Sequence, residues 1–345
     1  MSPFCHQYIE RATGSIRNER LFADPLVRFL YNEIRENAGW LFKALTSPQA
    51  SHILGVLQYD LCFFSPHRIK ALMRDLDVCL EECLNPEHFR TARAVFERKI
   101  RYWSCRPQPP AFPCVLAPSD SRMLPLNLST HSLFPVKGKF FDLKTLVGES
   151  PWHERFAGGR AAVFRLTPDK YHYNHCPVSG EVLETFMVEG RCHACHPDAV
   201  VREVTPFSRN RRLVTLVDTD IPQGSGVGLV AMVEVVALMI GGIREAYSHK
   251  AYENPQALRP GMRIQAGCPK SLFYPGSSTV VLLFEPLRMD FEEDLVANSL
   301  RRDVQSRFCE GFGPGLVETD LRMGEVIGRP VALKPSLSAP VPLVP

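Results

Sequence analysis

The segment Phe273-Tyr-Pro-Gly-Ser-Ser-Thr-Val-Val-Leu-Leu-Phe284 joins a tight turn to a buried strand. Pro275 fixes φ, Gly276 tolerates positive φ, and Ser277, Ser278 and Thr279 bring three hydroxyls to the turn. Val280 to Phe284 is a short, β-branched, apolar run, which suits a core strand. A serine held in a strained turn at the mouth of a buried strand can attack the carbonyl that precedes it. Taken alone, the segment also fits an ordinary Pro-Gly-Ser loop ahead of a strand, and short motifs of this kind recur by chance.

Outward from this segment, most of the chain after residue 113 has the same texture. Cys114–Ala117, Ala161–Leu166, Val200–Val204 and Leu213–Val217 are short apolar runs separated by Gly and Pro turns, the pattern of strands. Before it the pattern is helical. Asp24-Pro25 opens a helix to about residue 46, Ser65-Pro66 a second to about 84, and Asn85-Pro86 a third to about 99. Residues 1–20 are polar and are expected to be poorly ordered at their start. Arg106-Pro-Gln-Pro-Pro-Ala-Phe-Pro113 is a stiff linker between the two textures. The expected fold class is therefore α+β. A helical region able to contact a membrane (1–105) precedes a mainly antiparallel β catalytic domain (106–330), and 331–345 forms a flexible tail rich in Pro, Ser and Val. The apolar helix faces of the first region can pack on the catalytic domain or lie on a bilayer.

Composition narrows the function classes. The 345 residues carry a net charge of +3, too little to argue for nucleic acid. Basic clusters such as Arg98-Lys-Ile-Arg101 and Arg209-Asn-Arg-Arg212 suit a solvated face or an anionic membrane surface. The 11 cysteines are scattered and no signal pattern opens the chain, so reduced thiols in a cytoplasmic, membrane-peripheral protein are expected. The longest apolar run, Val227 to Ile243, is interrupted by Gly228, Glu234, Gly241 and Gly242, which argues against a membrane span. Gly224-Ser-Gly-Val-Gly228 does not match the dinucleotide or phosphate-loop spacing.

Three further segments can carry chemistry. In Phe164-Arg-Leu-Thr-Pro-Asp-Lys-Tyr-His-Tyr-Asn-His-Cys-Pro-Val-Ser-Gly180 a strand runs into a turn and then two histidines three apart. His172 and His175 could be metal ligands, though no carboxylate or third histidine stands at a supporting spacing. They could equally be a general base and a proton donor. Asp120, in Leu116-Ala-Pro-Ser-Asp-Ser121, could cap its own turn or orient a histidine. Cys192-His-Ala-Cys195-His196 has the look of a metal or redox site, but no second ligand pair accompanies it, so no metal is expected.

Taken in order, these segments resemble the phosphatidylserine decarboxylases, the pyruvoyl-dependent, self-processing family, over about residues 20–330. Tyr171-His-x-x-His175-x-Pro177-x-x-Gly180 resembles the family's histidine signature, and Gly276-Ser-Ser-Thr-Val-Val-Leu-Leu-Phe284 its Gly-Ser-Thr processing site. Ala117-Pro-Ser-Asp120 resembles the segment bearing its acid, and Val136-Lys-Gly to Gly148 its Lys-Gly…Leu-x-x-Leu-x-Gly segment. Phe96-Glu-Arg98 through Arg106-Pro107 resembles its Phe-x-Arg…Arg-Pro approach. There are departures. Ser121 follows the acid where the family usually has Gly, and Ser277 stands between Gly276 and Ser278. Strand register favours Ser278 as the reactive serine, with Ser277 as the alternative.

The resemblance implies a mechanism. His175, held by Asp120, would deprotonate Ser278, whose attack on the Ser277 carbonyl cuts the chain into a β chain (1–277) and an α chain (278–345). The new α-chain terminus would be a pyruvoyl group, derived from Ser278. Phosphatidylserine, met at a membrane surface, would form a Schiff base with it and lose CO2, and His172 would return the proton. The two chains would stay together, with a homodimer as a further assembly to test. Two alternatives stay open: a pyruvoyl-dependent decarboxylase of a soluble, aromatic-type amino acid, and an unprocessed lipid-binding homologue.

Overall fold

The computed structural model describes residues 6–19, 65–128, 133–136, 139–148, 150–190, 210–236, 242–276, 278–306, 308 and 316–331. The expected helix over 25–46, Cys192–His196, the expected strand over 200–204, Ser277 and residues 332–345 of the tail lie outside them.

In chain order the elements begin with β1 (Gln7–Glu10) and β2 (Ser15–Asn18), then helices α1 (Pro66–Asp75), α2 (Ala92–Phe96) and α3 (Tyr102–Cys105). Next come β3 (Val115–Leu116), β4 (Ser121–Asn127), β5 (Leu133–Val136), β6 (Lys139–Asp142), α4 (Leu143–Val147), β7 (Arg160–Leu166), β8 (Tyr173–His175), β9 (Gly180–Val188) and β10 (Arg212–Asp218). The series ends with β11 (Leu229–Val235), β12 (Ile243–Glu245), β13 (Arg263–Ile264), β14 (Pro269–Phe273), β15 (Ser278–Phe284), β16 (Met289–Phe291), α5 (Glu293–Ser299), β17 (Thr319–Leu321) and β18 (Val326–Pro330).

A ten-stranded sheet, β13-β9-β10-β11-β15-β7-β4-β17-β1-β2, forms the frame. Its neighbours pair antiparallel except β1 with β17, which run parallel. The expected mainly antiparallel domain is therefore present, with β15 near the middle and all seven of its residues buried. Alternation explains why Val-Val-Leu-Leu-Phe serves two cores at once. Val280, Leu282 and Phe284 pack with Phe164 and Met232 on one face, while Val281 and Leu283 pack with Val163 and Val233 on the other. A smaller sheet, β12-β14-β8, contributes Phe273 to the first of these cores.

The amino-terminal part departs from expectation. Residues 7–18 form a hairpin at the sheet edge rather than a loose start, because Ile9 is fully buried with Val304 and Val317. Below it, Arg165 bonds to Glu19 and Glu318, so the hairpin is tied to the sheet by buried charge. The expected long helices are short. The helix over 66–84 stops at Asp75, because Asp77 takes φ 49° and the Leu76 N–H closes back on Leu72. The helix over 86–99 is a single 3-10 turn, Pro86–His88, followed by α2, whose cap Thr91 accepts from Ala94 N at 3.1 Å. Cys83, Ile100 and Tyr102 from this part share a core with Tyr171, Tyr173, Tyr252 and Leu272.

Candidate active site

Ser278 is the first residue of β15, 3% exposed and paired with Leu166 of β7. Gly276, two residues earlier, has φ 148°, a conformation that favours glycine. Ser278 points to the same face as Val280, since the two are two apart on a strand. That core also contains Cys176, Val178, Cys268 and Phe273, so β8 and β14 flank the serine's face. The topology thus brings the histidine strand to the cleavage segment: β8 pairs with β14, His175 lies opposite Pro269, and β14 runs on into Ser278.

Both ring nitrogens of His175 are engaged. Nδ1 lies 2.8 Å from the Gly267 carbonyl, and Nε2 lies 2.9 Å from the Tyr171 hydroxyl. The carbonyl can only accept, so Nδ1 carries the proton and Nε2 receives the Tyr171 hydroxyl. Burial pushes the His175 pKa down to about 4, so the ring is neutral at pH 7. His172 donates from Nδ1 to the Lys170 carbonyl at 2.8 Å and stacks on Phe96 at 3.6 Å between ring centroids. Its Nε2 is buried without a hydrogen-bond partner among the described residues. Burial, with Arg98 nearby, pushes its pKa well below the ordinary value.

Asp120 is held elsewhere. Arg106 grips its carboxylate, Nε to Oδ1 at 2.9 Å and Nη2 to Oδ2 at 2.6 Å, and Met323 N donates to Oδ1 at 2.9 Å. Burial would raise the Asp120 pKa, but the guanidinium outweighs it and holds the carboxyl below its usual range. Among the described residues no hydrogen bond joins Asp120 to His175, or either histidine to the Ser278 hydroxyl. Asp120 acts on His175 through its charge, which opposes the downward push of burial. A cavity of about 380 Å³, lined by Arg98, Arg106, Asp120, Tyr171 and Asp320 among others, opens behind this carboxylate.

Two groups of partners were not foreseen. The first lies around Glu234, which stands opposite Val280 on β11 and is therefore a diagonal neighbour of Ser278 on the same face. Its carboxylate accepts from Lys270, Ser271 and Asn174, the last at 2.8 Å, and Asn174 lies between the two histidines. One signal was present in the sequence: a carboxylate inside Leu229–Val235 must find a buried partner. The second is Tyr252, whose hydroxyl is 2.7 Å from that of Tyr171 and 2.9 Å from the Ile100 carbonyl. No local pattern marks Tyr252.

His6, Glu19 and Glu318 gather ligand-type atoms, but Arg165 donates to both carboxylates from their midst. No helix among the described residues is long and apolar enough to cross a membrane.

Comparison with known proteins identifies a family. The family model described as phosphatidylserine decarboxylase matches residues 92–328. A phosphatidylserine decarboxylase proenzyme of Chlamydia pneumoniae is 30% identical over 94% of this chain and 97% of its own length. One from Chlamydia trachomatis serovar L2 is 29% identical over 93% of this chain and 96% of its own. One from Fusobacterium nucleatum subsp. nucleatum is 24% identical over 94% and 97%. Because the matched span takes in the histidine strand and Ser278 and covers well over half of the chain, this protein belongs to the phosphatidylserine decarboxylase family.

Proposed function

We propose that the chain is a proenzyme that cuts itself before Ser278 and then decarboxylates phosphatidylserine to phosphatidylethanolamine, working peripherally at a membrane surface. The observation that carries this is the position of Ser278, at the head of a buried central strand and on the face that β8 and β14 flank.

In self-cleavage His175 is the base. Being neutral at pH 7, it has a lone pair ready to take the Ser278 hydroxyl proton once Nε2 turns from Tyr171. The serine oxygen then attacks the preceding carbonyl, the peptide C–N bond breaks, and the amine of Ser278 receives a proton. Elimination across the Ser278 Cα–Cβ bond then breaks the ester C–O bond and frees the Ser277 carboxylate, and water hydrolyses the resulting dehydroalanine to a pyruvoyl group with release of ammonia. Asp120, fixed by Arg106, steadies the charge on the imidazolium at a distance.

A pyruvoyl group at position 278 fits the surroundings, because His172 Nε2, buried and without a hydrogen-bond partner among the described residues, is an open proton acceptor on the neighbouring segment. The group supplies an electrophilic carbonyl and an electron sink for loss of CO2. His172 Nε2 accepts the proton that the substrate amine sheds and returns it to the α-carbon. Its tautomer is set beforehand by the Lys170 carbonyl. The apolar lining from Val280, Phe164 and Phe273 excludes water, which favours departure of a charged carboxylate.

Intact mass of the purified protein, with and without Ser278→Ala, tests the proposal. The expected products are chains 1–277 and 278–345, the second lacking an ordinary amino terminus. A Ser278→Ala chain still cut at this bond would move the nucleophile to Ser277. An uncut wild-type chain would favour a lipid-binding role without catalysis.

A further inference from the structure

We infer that Tyr171 and Tyr252 form a two-position hydrogen-bond relay that turns over when His175 gains a proton, making Tyr252 a positioning residue for self-cleavage. This rests on His175 being the base in the function proposed above.

The inference comes from counting hydrogens along His175–Tyr171–Tyr252–Ile100. Four contacts are in reach: Gly267 O to Nδ1 (2.8 Å), Nε2 to Tyr171 Oη (2.9 Å), Tyr171 Oη to Tyr252 Oη (2.7 Å), and Tyr252 Oη to Ile100 O (2.9 Å). Each hydroxyl has one hydrogen to give. With His175 neutral, Nδ1 gives its hydrogen to Gly267, Tyr171 gives its own to Nε2, and Tyr252 must give its own to Tyr171. The Ile100 carbonyl is then left without the Tyr252 hydrogen. Once His175 carries the Ser278 proton and Nε2 has turned back to Tyr171, Nε2 donates to Tyr171, Tyr171 to Tyr252, and Tyr252 to Ile100 O, and all four contacts are satisfied. No covalent bond breaks in the chain; two hydroxyl hydrogens rotate. The Ile100 N–H donates to Tyr252 Oη at 3.2 Å in either state and anchors that oxygen.

The protonated form therefore has one more hydrogen bond than the neutral form, in a place where an unmet acceptor is costly. The relay opposes the burial that disfavours the imidazolium. The other groups facing His175 are fixed in either state. Asp120 and Arg106 are locked to each other, and the Tyr102 ring makes a T-shaped contact with 4.7 Å between centroids. On its own segment Tyr171 and Cys176 flank it, and Cys268 follows the carbonyl it binds. Burial raises the pKa of the Cys176 and Cys268 thiols, which keeps both uncharged.

Tyr252→Phe removes three hydrogen bonds from the protonated arrangement and two from the neutral arrangement, the Ile100 N–H bond being lost from both. The net loss of one bond should lower the His175 titration midpoint by roughly 0.3–1 pH unit and slow self-cleavage at neutral pH roughly two- to tenfold. Freshly translated full-length chain, followed by gel at pH 7, gives the rate. ¹⁵N-histidine NMR of the uncut Ser278→Ala chain, with and without Tyr252→Phe, gives the midpoint and the tautomer. The Nδ1–H tautomer should hold in both, with the midpoint lower in the phenylalanine variant. An unmoved or raised midpoint would overturn the relay, as would an Nε2–H tautomer in the parent. If instead wild-type chain fails to cleave, the proposed function falls, and the NMR titration still decides the relay by itself.

Discussion

Glu234→Leu should destabilise the protein far more than its single carboxylate suggests. Both side chains of the Glu234–Lys270 pair are essentially shut off from solvent, at 0% and 2% exposure. Removing the acid leaves the Lys270 ammonium buried without its counter-charge and takes an acceptor from Ser271 and Asn174. Breaking a buried pair from one side costs about 3–5 kcal/mol, against a total stability of about 5–15 kcal/mol. Replacing both partners by apolar groups of similar shape, Glu234→Leu with Lys270→Met, removes the stranded charge, and the double variant should recover at least about 2 kcal/mol. The assay is urea unfolding of all variants in the uncut Ser278→Ala background, so that one chain is compared throughout. A loss below about 1 kcal/mol for Glu234→Leu would refute the argument, and so would a double variant no better than the single. The same substitution in the wild-type background should slow cleavage, since Asn174 would lose the contact that fixes β8 beneath Ser278.

The two histidines should separate by function: His175→Ala accumulates uncut chain, whereas His172→Ala yields cut chain that releases little CO2 from phosphatidylserine vesicles; like behaviour in both would contradict the assigned roles. Acid should loosen the fold through the same ring. His175 titrates at about 4 when folded and at about 6.5 when unfolded. Between those values the unfolded chain binds more protons, so stability rises with pH, and about 3 kcal/mol should be lost on going from pH 6.5 down to 4. His172 adds in the same direction, and His175→Gln should flatten that part of the unfolding profile measured by urea at each pH.

How much of this was legible follows from where the information sits. β15 was legible because Val280 to Phe284 is apolar on both faces, which a two-sided core demands. β7 and β10 showed the same signature. The hairpin of β1 and β2 was not, because β2 is exposed throughout and only Ile9 is fully buried in β1; its place depends on β17, some 300 residues away. The helix over 66–84 failed at Asp77, whose positive φ is a tertiary choice that propensity does not register. Of the candidate site, Ser278, His172, His175 and Asp120 stood out in the sequence as chemistry-bearing residues in short motifs. Their partners did not. Gly267, Tyr252 and Glu234 reach the histidine segment from 60 to 92 positions away, and nothing local announces such a meeting.

The position of β15 has a consequence for the life of the processed protein. A cut before Ser278, as proposed, would assign β15, β16, α5, β17 and β18 to one polypeptide and the rest of the ten-stranded sheet to the other. The smaller product is then threaded through the larger one. β15 is zipped between β11 and β7, and β17 between β4 and β1. Neither polypeptide retains the complete ten-stranded sheet, and separating them would open backbone ladders on both sides of two interior strands. Once unfolded, the pair must find each other by diffusion, at a rate set by concentration, a requirement the single chain never faced. Cleavage thus turns a protein that folds alone into one that is held by the history of its folding, and its durability becomes a matter of how slowly it opens.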